Sequence, residues 1–350
     1  MILSHQEFLR NLELRPHRSQ VISISLIIAF IAGFLLVVYL IIDSGAADVA
    51  HALSVIGWWL IPIALFHLVP LAFSALSWRE LLPAASRPHA VTLIAIRWIR
   101  ESINSLLPVA SVGGDIASAR LAQLQGVPGT QAAASMVVDT TVGVVTQLIF
   151  VSSGVGLLLL RSTERSTLVV AEMVLTGTAI LFVAITAFVL LQHRGLFVGF
   201  AKFASRLLPK ERLAAFAAGA STIDDAVAAA YRSGWTLLRS NVLRLTGWAA
   251  GAAEVWLVMH ALGQPIGMVD AYILESLGSG VRAAAFMVPG ALGALEAGYV
   301  VFGGLFGLPA DTALAISLSK RVRELALGVP GLVAWHWVEG RYLLHRRKPR

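Results

Sequence analysis

Acids and bases recur inside stretches of this sequence that are otherwise apolar enough for a lipid bilayer. Arg97, Arg100, Glu101, Asp115, Arg120, Asp139, Arg244, Glu254, Glu275, Arg282, Glu296, Lys320, Arg321, Arg323 and Glu324 all fall there. A charged side chain at mid-bilayer costs about 2.5–3.5 kcal/mol on insertion scales, so a set of this size cannot face lipid. These groups must pair with one another or line a wet cavity between helices. A polar cavity in an apolar bundle is what a lipid headgroup or a small solute requires. Enzyme chemistry has weaker support, because no H-E-x-x-H, Walker A, nucleophile elbow or G-x-G-x-x-G stands in a convincing context. The chain has no cysteine, which excludes thiolate metal sites and disulfides. His51, His67 and His260 read as interfacial or packing residues, so no metal and no cofactor is expected.

Two of the acids stand in matching surroundings. Pro108-Val109-Ala110-Ser111-Val112-Gly113-Gly114-Asp115 returns as Pro289-Gly290-Ala291-Leu292-Gly293-Ala294-Leu295-Glu296, each a proline with a carboxylate seven residues on. The same offset of 181 pairs Gly126 and Pro128 with Gly307 and Pro309. Proline ends an incoming helix by removing a donor and crowding the preceding turn. Gly113, Gly114, Gly290 and Gly293 let backbones approach closely at the break. The outgoing helix then presents free N–H groups and its positive dipole end. Asp115 and Glu296 have two readings here: caps of those helices, or cavity carboxylates that bind a headgroup or take part in proton coupling. Asn104, Ser105 and Ser111 would add neutral hydrogen-bonding groups beside Asp115.

Composition supplies the solvent for these elements. Hydrophobic residues make up 57% and charged residues only 13%, too few to clothe a soluble domain of this length, so lipid must be part of the surroundings. Runs of about 20 apolar residues, enough for a ~30 Å hydrocarbon core, read as spans at 21–42, 52–77, 130–160, 167–191, 236–261 and 312–338. Residues 1–20 are polar and the first apolar run is too long for a cleavable signal, so none is expected. Arginines before the first span, the basic stretch 341–350 and the basic loop 192–235 place both termini and that loop in the cytoplasm. The basicity reflects topology and anionic headgroups rather than nucleic-acid binding. Trp58, Trp59, Trp78, Trp335 and Trp337 fit an aromatic belt.

The expected architecture is an all-α polytopic integral membrane protein built as an inverted-topology repeat, with six full spans and two proline-broken elements. Residues 21–160 form one half, with a broken element at 90–126. Residues 161–340 form the other, with its broken element at 268–306. Each half crosses the bilayer an odd net number of times, which inverts the second copy and brings the two breaks in from opposite faces. Whether each broken element is a re-entrant hairpin or a pair of tilted spans stays open. In the linker 192–235, Phe200, Phe203 and Leu207 oppose Lys202 and Arg206 on an interfacial amphipathic helix, followed by an Ala-rich segment ending near Tyr231. The offset also matches Glu101 with Arg282 and Asp139 with Lys320, both acid-for-base exchanges, so these couples are expected to pair across the pseudo-two-fold axis. A local i,i+4 pair of Lys320 with Glu324 competes.

The run Glu101-Ser102-Ile103-Asn104-Ser105-Leu106-Leu107-Pro108, with Gly113, Gly114, Asp115, Arg120, Ala134, Ser135 and Asp139, resembles the flippase-like lysylphosphatidylglycerol synthase transmembrane family. Pro289 to Glu296 is similar to that family's second signature, and the resemblance covers about 20–340. It implies a bacterial inner-membrane protein that moves or handles lipid, with Asn104, Pro108, Gly113, Gly114, Asp115, Asp139, Pro289, Gly293 and Glu296 at signature positions. Val109-Ala110-Ser111 replaces a glycine-richer stretch, and Thr140 follows Asp139 where an arginine is common. The soluble aminoacyl-transfer domain of larger relatives is absent, so lipid aminoacylation is not expected. Length and second-half wording are most similar to hopanoid-associated members, which implies a hopanoid or related lipid as cargo. The expected function is lipid flipping or transport through a cavity lined by Glu101, Asn104, Asp115, Asp139, Arg282, Glu296 and Lys320. The alternatives are a non-transporting partner that presents lipid to biosynthetic enzymes, and an intramembrane lipid-modifying transferase.

Overall fold

The computed structural model describes residues 46–107, 112–161, 210–285 and 288–346, with scattered residues between 35 and 45 and between 168 and 190. The expected spans 21–42 and 167–191 and the amphipathic segment around Phe203 fall largely or wholly outside the described residues, as does Pro108. Among the described residues all regular structure is helical. Three stretches are long and apolar enough to cross a bilayer, Ala50–Leu81, Gly129–Arg161 and Gly234–Ala261, and they contain three of the expected spans. The chain is an all-α polytopic membrane protein.

Its elements are α1 (Ala46–Ile56), α2 (Leu60–Phe66), α3 (Leu68–Leu81), α4 (Ala90–Leu106), α5 (Gly113–Leu124), α6 (Gly129–Arg161), α7 (Lys210–Tyr231), α8 (Gly234–Ala261), α9 (Met268–Ala284), α10 (Ala294–Leu305) and α11 (Ala310–Arg346). Short 3₁₀ turns join some of them, including Pro289–Ala291. Pro70 cannot donate to Phe66, which interrupts the helix ladder between α2 and α3 and leaves His67 at the junction. The expected span 312–338 lies within α11. That helix is absent from the apolar set because Lys320, Arg321, Arg323 and Glu324 crowd its middle, and all four have partners.

The repeat is visible residue for residue. Adding 181 to the bounds of α5 gives Ala294 and Leu305, the bounds of α10, and adding it to Gly129 gives Ala310, the start of α11. The packing repeats too. α4 packs on α11 as α9 packs on α6, α4 on α5 as α9 on α10, and α5 on α6 as α10 on α11. The equivalent helices α3 and α8 pack against each other, as elements on a pseudo-two-fold axis must. Each broken element consists of a 17-residue limb and a 12-residue limb. Twelve helical residues rise about 18 Å, short of a ~30 Å core, and the second limb packs against the first.

One face of α4 fixes the first hairpin. Leu93, Ile96, Ile99 and Ile103 recur at helical spacing and are buried against Leu121 and Ala122 of α5, Trp78 and Leu82 near the end of α3, and Met136 of α6. Trp78 is wholly buried and its indole N–H donates to the Ser135 hydroxyl at 3.1 Å, so it is a packing residue rather than a member of the belt. Trp58 and Trp337 remain mostly exposed, as lipid-facing aromatics would be. The Ala-rich helix α7 packs on α6, with Val227 buried against Val138 and Val142.

Candidate functional site

The polar stripe of α4 carries Arg97, Arg100, Glu101 and Asn104, spaced three and four apart and therefore on one side of the helix. Asn104 serves the break itself. Its Oδ1 accepts the Gly114 N–H at 2.9 Å, satisfying one of the orphan donors that open α5. Gly114 is needed there, because a Cβ would lie 2.5 Å from both the Arg100 carbonyl oxygen and Asn104 Oδ1. Arg100 pairs with Asp115 in the first turn of α5, where negative charge also suits the helix dipole. The Thr140 hydroxyl donates to the other Asp115 oxygen at 3.2 Å.

Asp139 sits deeper and is 1% exposed. Its carboxylate receives Arg97 at 2.7 Å and Arg244 of α8, and both guanidiniums also donate to the Ser74 hydroxyl, at 2.7 and 2.6 Å. One acid thereby ties together α3, α4, α6 and α8. A buried carboxylate flanked by two arginines and shielded from solvent is a structural tie.

The second break uses the same design with other atoms. Gly290 and Gly293 have φ of +62° and +76°, and Ala291 has +50°, so the chain reverses through left-handed backbone that glycine tolerates best. Glu296 Oε2 accepts the Gly293 N–H at 2.8 Å, which makes it a cap of α10. Arg321 donates to Glu296 at 2.8 Å and to the Gly290 carbonyl at 2.6 Å. Thr140 and Arg321 are equivalent under the repeat, and so are Asp115 and Glu296. The hydroxyl–carboxylate contact of the first half is therefore an arginine–carboxylate pair in the second. Where Thr140 supplies no charge, Arg100 does.

The couples expected across the axis are not formed as pairs. Asp139 is engaged by Arg97 and Arg244, whereas Lys320 pairs with Glu275, which also accepts the Tyr299 hydroxyl at 2.9 Å. Each span bonds the first limb of its own half, with the signs exchanged between halves. The local Lys320–Glu324 pair is not formed either: Glu324 holds Arg282 at 2.5 Å and Arg321 at 2.9 Å. Glu101 bonds His67 at 2.7 Å, not Arg282.

Glu101 and Arg282 nonetheless face a common space. A cavity of about 130 Å³ lies between the C-terminal end of α4 and the second break, lined by Glu101, Asn104, Ser105, Arg282, Ala285, Val288, Gly290 and Ala291. The Glu101 and Arg282 side chains are 43% and 36% exposed, the open ends of otherwise buried networks. An acid, a base, an amide and a hydroxyl thus meet between the end of α4 and the second break. Asp115, Asp139, Glu296 and Lys320 do not line this cavity. Their charges are consumed by caps and ties that hold its walls.

His67, read from the sequence as an interfacial or packing residue, also bonds two carboxylates. Its Nε2 lies 2.7 Å from Glu101 and its Nδ1 2.5 Å from Glu254, which in turn holds Arg323. The one hint in the sequence is a histidine three residues before a proline inside an apolar span. Among the described residues no group of three or more His, Asp and Glu is arranged to hold a metal.

A charged, paired interior in a helical bundle with membrane-spanning helices, and a small cavity beside the second break, define the class as a polytopic helical membrane protein. The chain belongs to the family described as the lysylphosphatidylglycerol synthase TM region, whose model matches residues 22–331. Comparison with curated proteins and with solved structures gives no match.

Proposed function

We propose that the protein moves polar lipids across the bacterial inner membrane, taking the headgroup into the cavity between α4 and the second break while the acyl or hopanoid portion stays in the bilayer. The observation that carries this reading is the convergence of Glu101, Asn104, Ser105 and Arg282 on one space inside an apolar bundle. A space of about 130 Å³ holds several waters or a small polar fragment, so it suits a headgroup and not a whole lipid. An acid on one wall and a guanidinium on the other complement a zwitterionic headgroup. Both termini and the 192–235 linker are assigned to the cytoplasm on the basic residues there. A hopanoid-type lipid is the cargo that the family resemblance favours.

The ties at Asp139 and Glu296 give the walls rigidity. Tail-labelled NBD-phosphatidylethanolamine in proteoliposomes, quenched from outside by dithionite, tests the proposal. Protein-dependent access to the inner-leaflet pool is expected, with loss of most of it in Glu101→Gln and Arg282→Gln. Translocation unchanged in both folded variants would refute the site.

A further inference from the structure

Glu101, His67 and Glu254 form a three-membered hydrogen-bonded chain that starts at the cavity and ends in the core. His67 sits at the Pro70 break between α2 and α3, which aims the two ring nitrogens at carboxylates on different helices, Glu101 on α4 and Glu254 on α8. An ionised carboxylate only accepts hydrogen bonds. Contacts of 2.7 and 2.5 Å therefore each need a bridging proton, so the three groups hold two protons between them. With one proton fewer, two lone pairs would face each other across one contact.

The surrounding charges agree with that count. The chain continues from Glu254 to Arg323, from Arg323 to Glu324 at 3.9 Å, from Glu324 to Arg282 and Arg321, and from Arg321 to Glu296. Glu101, Glu254, Glu296 and Glu324 are four acids, against Arg282, Arg321 and Arg323. The network is neutral when His67 and its two carboxylates hold two protons between them, and a buried network with an uncompensated charge is costly. The groups that face His67 are Glu101 from α4, Glu254 from α8, and Arg323 with Glu324 from α11. A second cavity of about 10 Å³, the room of one water, touches His67, Glu101, Arg323 and Glu324.

We propose that Glu101–His67–Glu254 is a proton-binding relay opening on the cavity, and that the proton is the coupling ion for lipid movement. Glu101 takes a third proton from cavity water on the carboxylate oxygen that His67 does not engage, while the bridging proton stays in the Nε2–Oε1 contact. The Nδ1–H stays donated to Glu254, so one proton enters or leaves at the cavity for each change of state. The coupling rests on the transport reading, whereas the two-proton relay does not.

Two measurements separate them. Nitrogen-15 spectra of histidine and carbon-13 carboxyl spectra of glutamate, in labelled protein in nanodiscs at neutral pH, report the ring and its partners, with signals assigned by their loss in His67→Gln and Glu101→Gln. A doubly protonated ring, or a neutral ring whose partner carboxyl carries the proton, is expected. A neutral ring beside two ionised carboxylates would overturn the relay. Proteoliposomes carrying tail-labelled NBD-phosphatidylethanolamine are then given a pH gradient of one unit. For one proton per lipid the leaflet distribution moves from even toward about ten to one, and His67→Gln returns it to even. If His67→Gln does not fold, Glu254→Gln tests the same step, because it removes the charge that holds the ring's Nδ1–H and leaves the cavity lining intact. A distribution insensitive to the gradient in the unmodified protein would overturn the coupling even where translocation is intact. Absence of translocation sinks the transport reading and the coupling together, and the spectra still judge the relay.

Discussion

Replacing Asp139 by asparagine keeps the shape of the side chain and removes the charge that two arginines share. Asp139 is 1% exposed and Arg97 2%, so neither guanidinium can turn to solvent for compensation. The new amide would also point an N–H₂ at one of the cations. Breaking a buried pair by removing one partner costs about 3–5 kcal/mol, which at roughly 2–4 °C per kcal/mol lowers the melting temperature by about 6–20 °C. Thermal unfolding in nanodiscs, followed by tryptophan emission, measures it. Arg120→Ala provides the comparison, because that arginine pairs with Glu339 with its side chain 45% exposed. A pair of that kind contributes about 0–1 kcal/mol. Replacing Arg97, Asp139 and Arg244 together by Met, Leu and Met should recover most of the loss, since apolar groups of similar volume often match a buried ion network. An Asp139→Asn protein that melts within about 2 °C of the parent, or no lower than Arg120→Ala, would refute the assignment of Asp139 as a tie.

Three further outcomes are expected. Arg100→Leu should destabilise the first hairpin by leaving Asp115 without its cation, and Thr140→Arg should rescue it, because Arg321 fills the equivalent position beside Glu296; unfolding midpoints that fail to recover would count against the symmetry. Gly114→Ala should cost about 1–3 kcal/mol through overpacking against Arg100 and Asn104, read as a lowered midpoint; a neutral result would mean the break is looser than described. The chain has no cysteine, so single cysteines at Ser105 and Ala285 can be labelled directly; both should react with a small water-soluble thiosulfonate, whereas one at Leu274, which is wholly buried, should not.

The sequence carried the elements further than the partners. One offset, found from two prolines and an acid, fixed the bounds of α5 against α10 and the starts of α6 and α11 without a gap. Helix breaks are local events, written in the proline and glycine that cause them. Ion pairing is not local. Arg97 and Asp139 are 42 residues apart, and Glu254 and Arg323 are 69 apart, so their pairing depends on how whole helices rotate against one another. Composition required that such charges be paired and could not choose the pairs. The offset suggested Asp139 with Lys320, but equivalent residues touch only near the axis, and there α3 meets α8 instead. His67 was missed because one histidine in an apolar run reads as packing until two carboxylates from other helices arrive beside it. Of the two readings of Glu296, the geometry displays the cap contact, with the carboxylate wholly buried against the Gly293 N–H and Arg321.

The central claim is that a polar lipid binds in the cavity between α4 and the second break. Native mass spectrometry of the protein extracted in its own membrane lipid tests it most directly, with the parent compared against a folded Glu101→Gln/Arg282→Gln protein. The account predicts a lipid of defined mass, hopanoid or phospholipid, retained by the parent at about one per chain and lost from the double variant. Equal retention by both, or only a broad mixture of annular lipids on the parent, would contradict it.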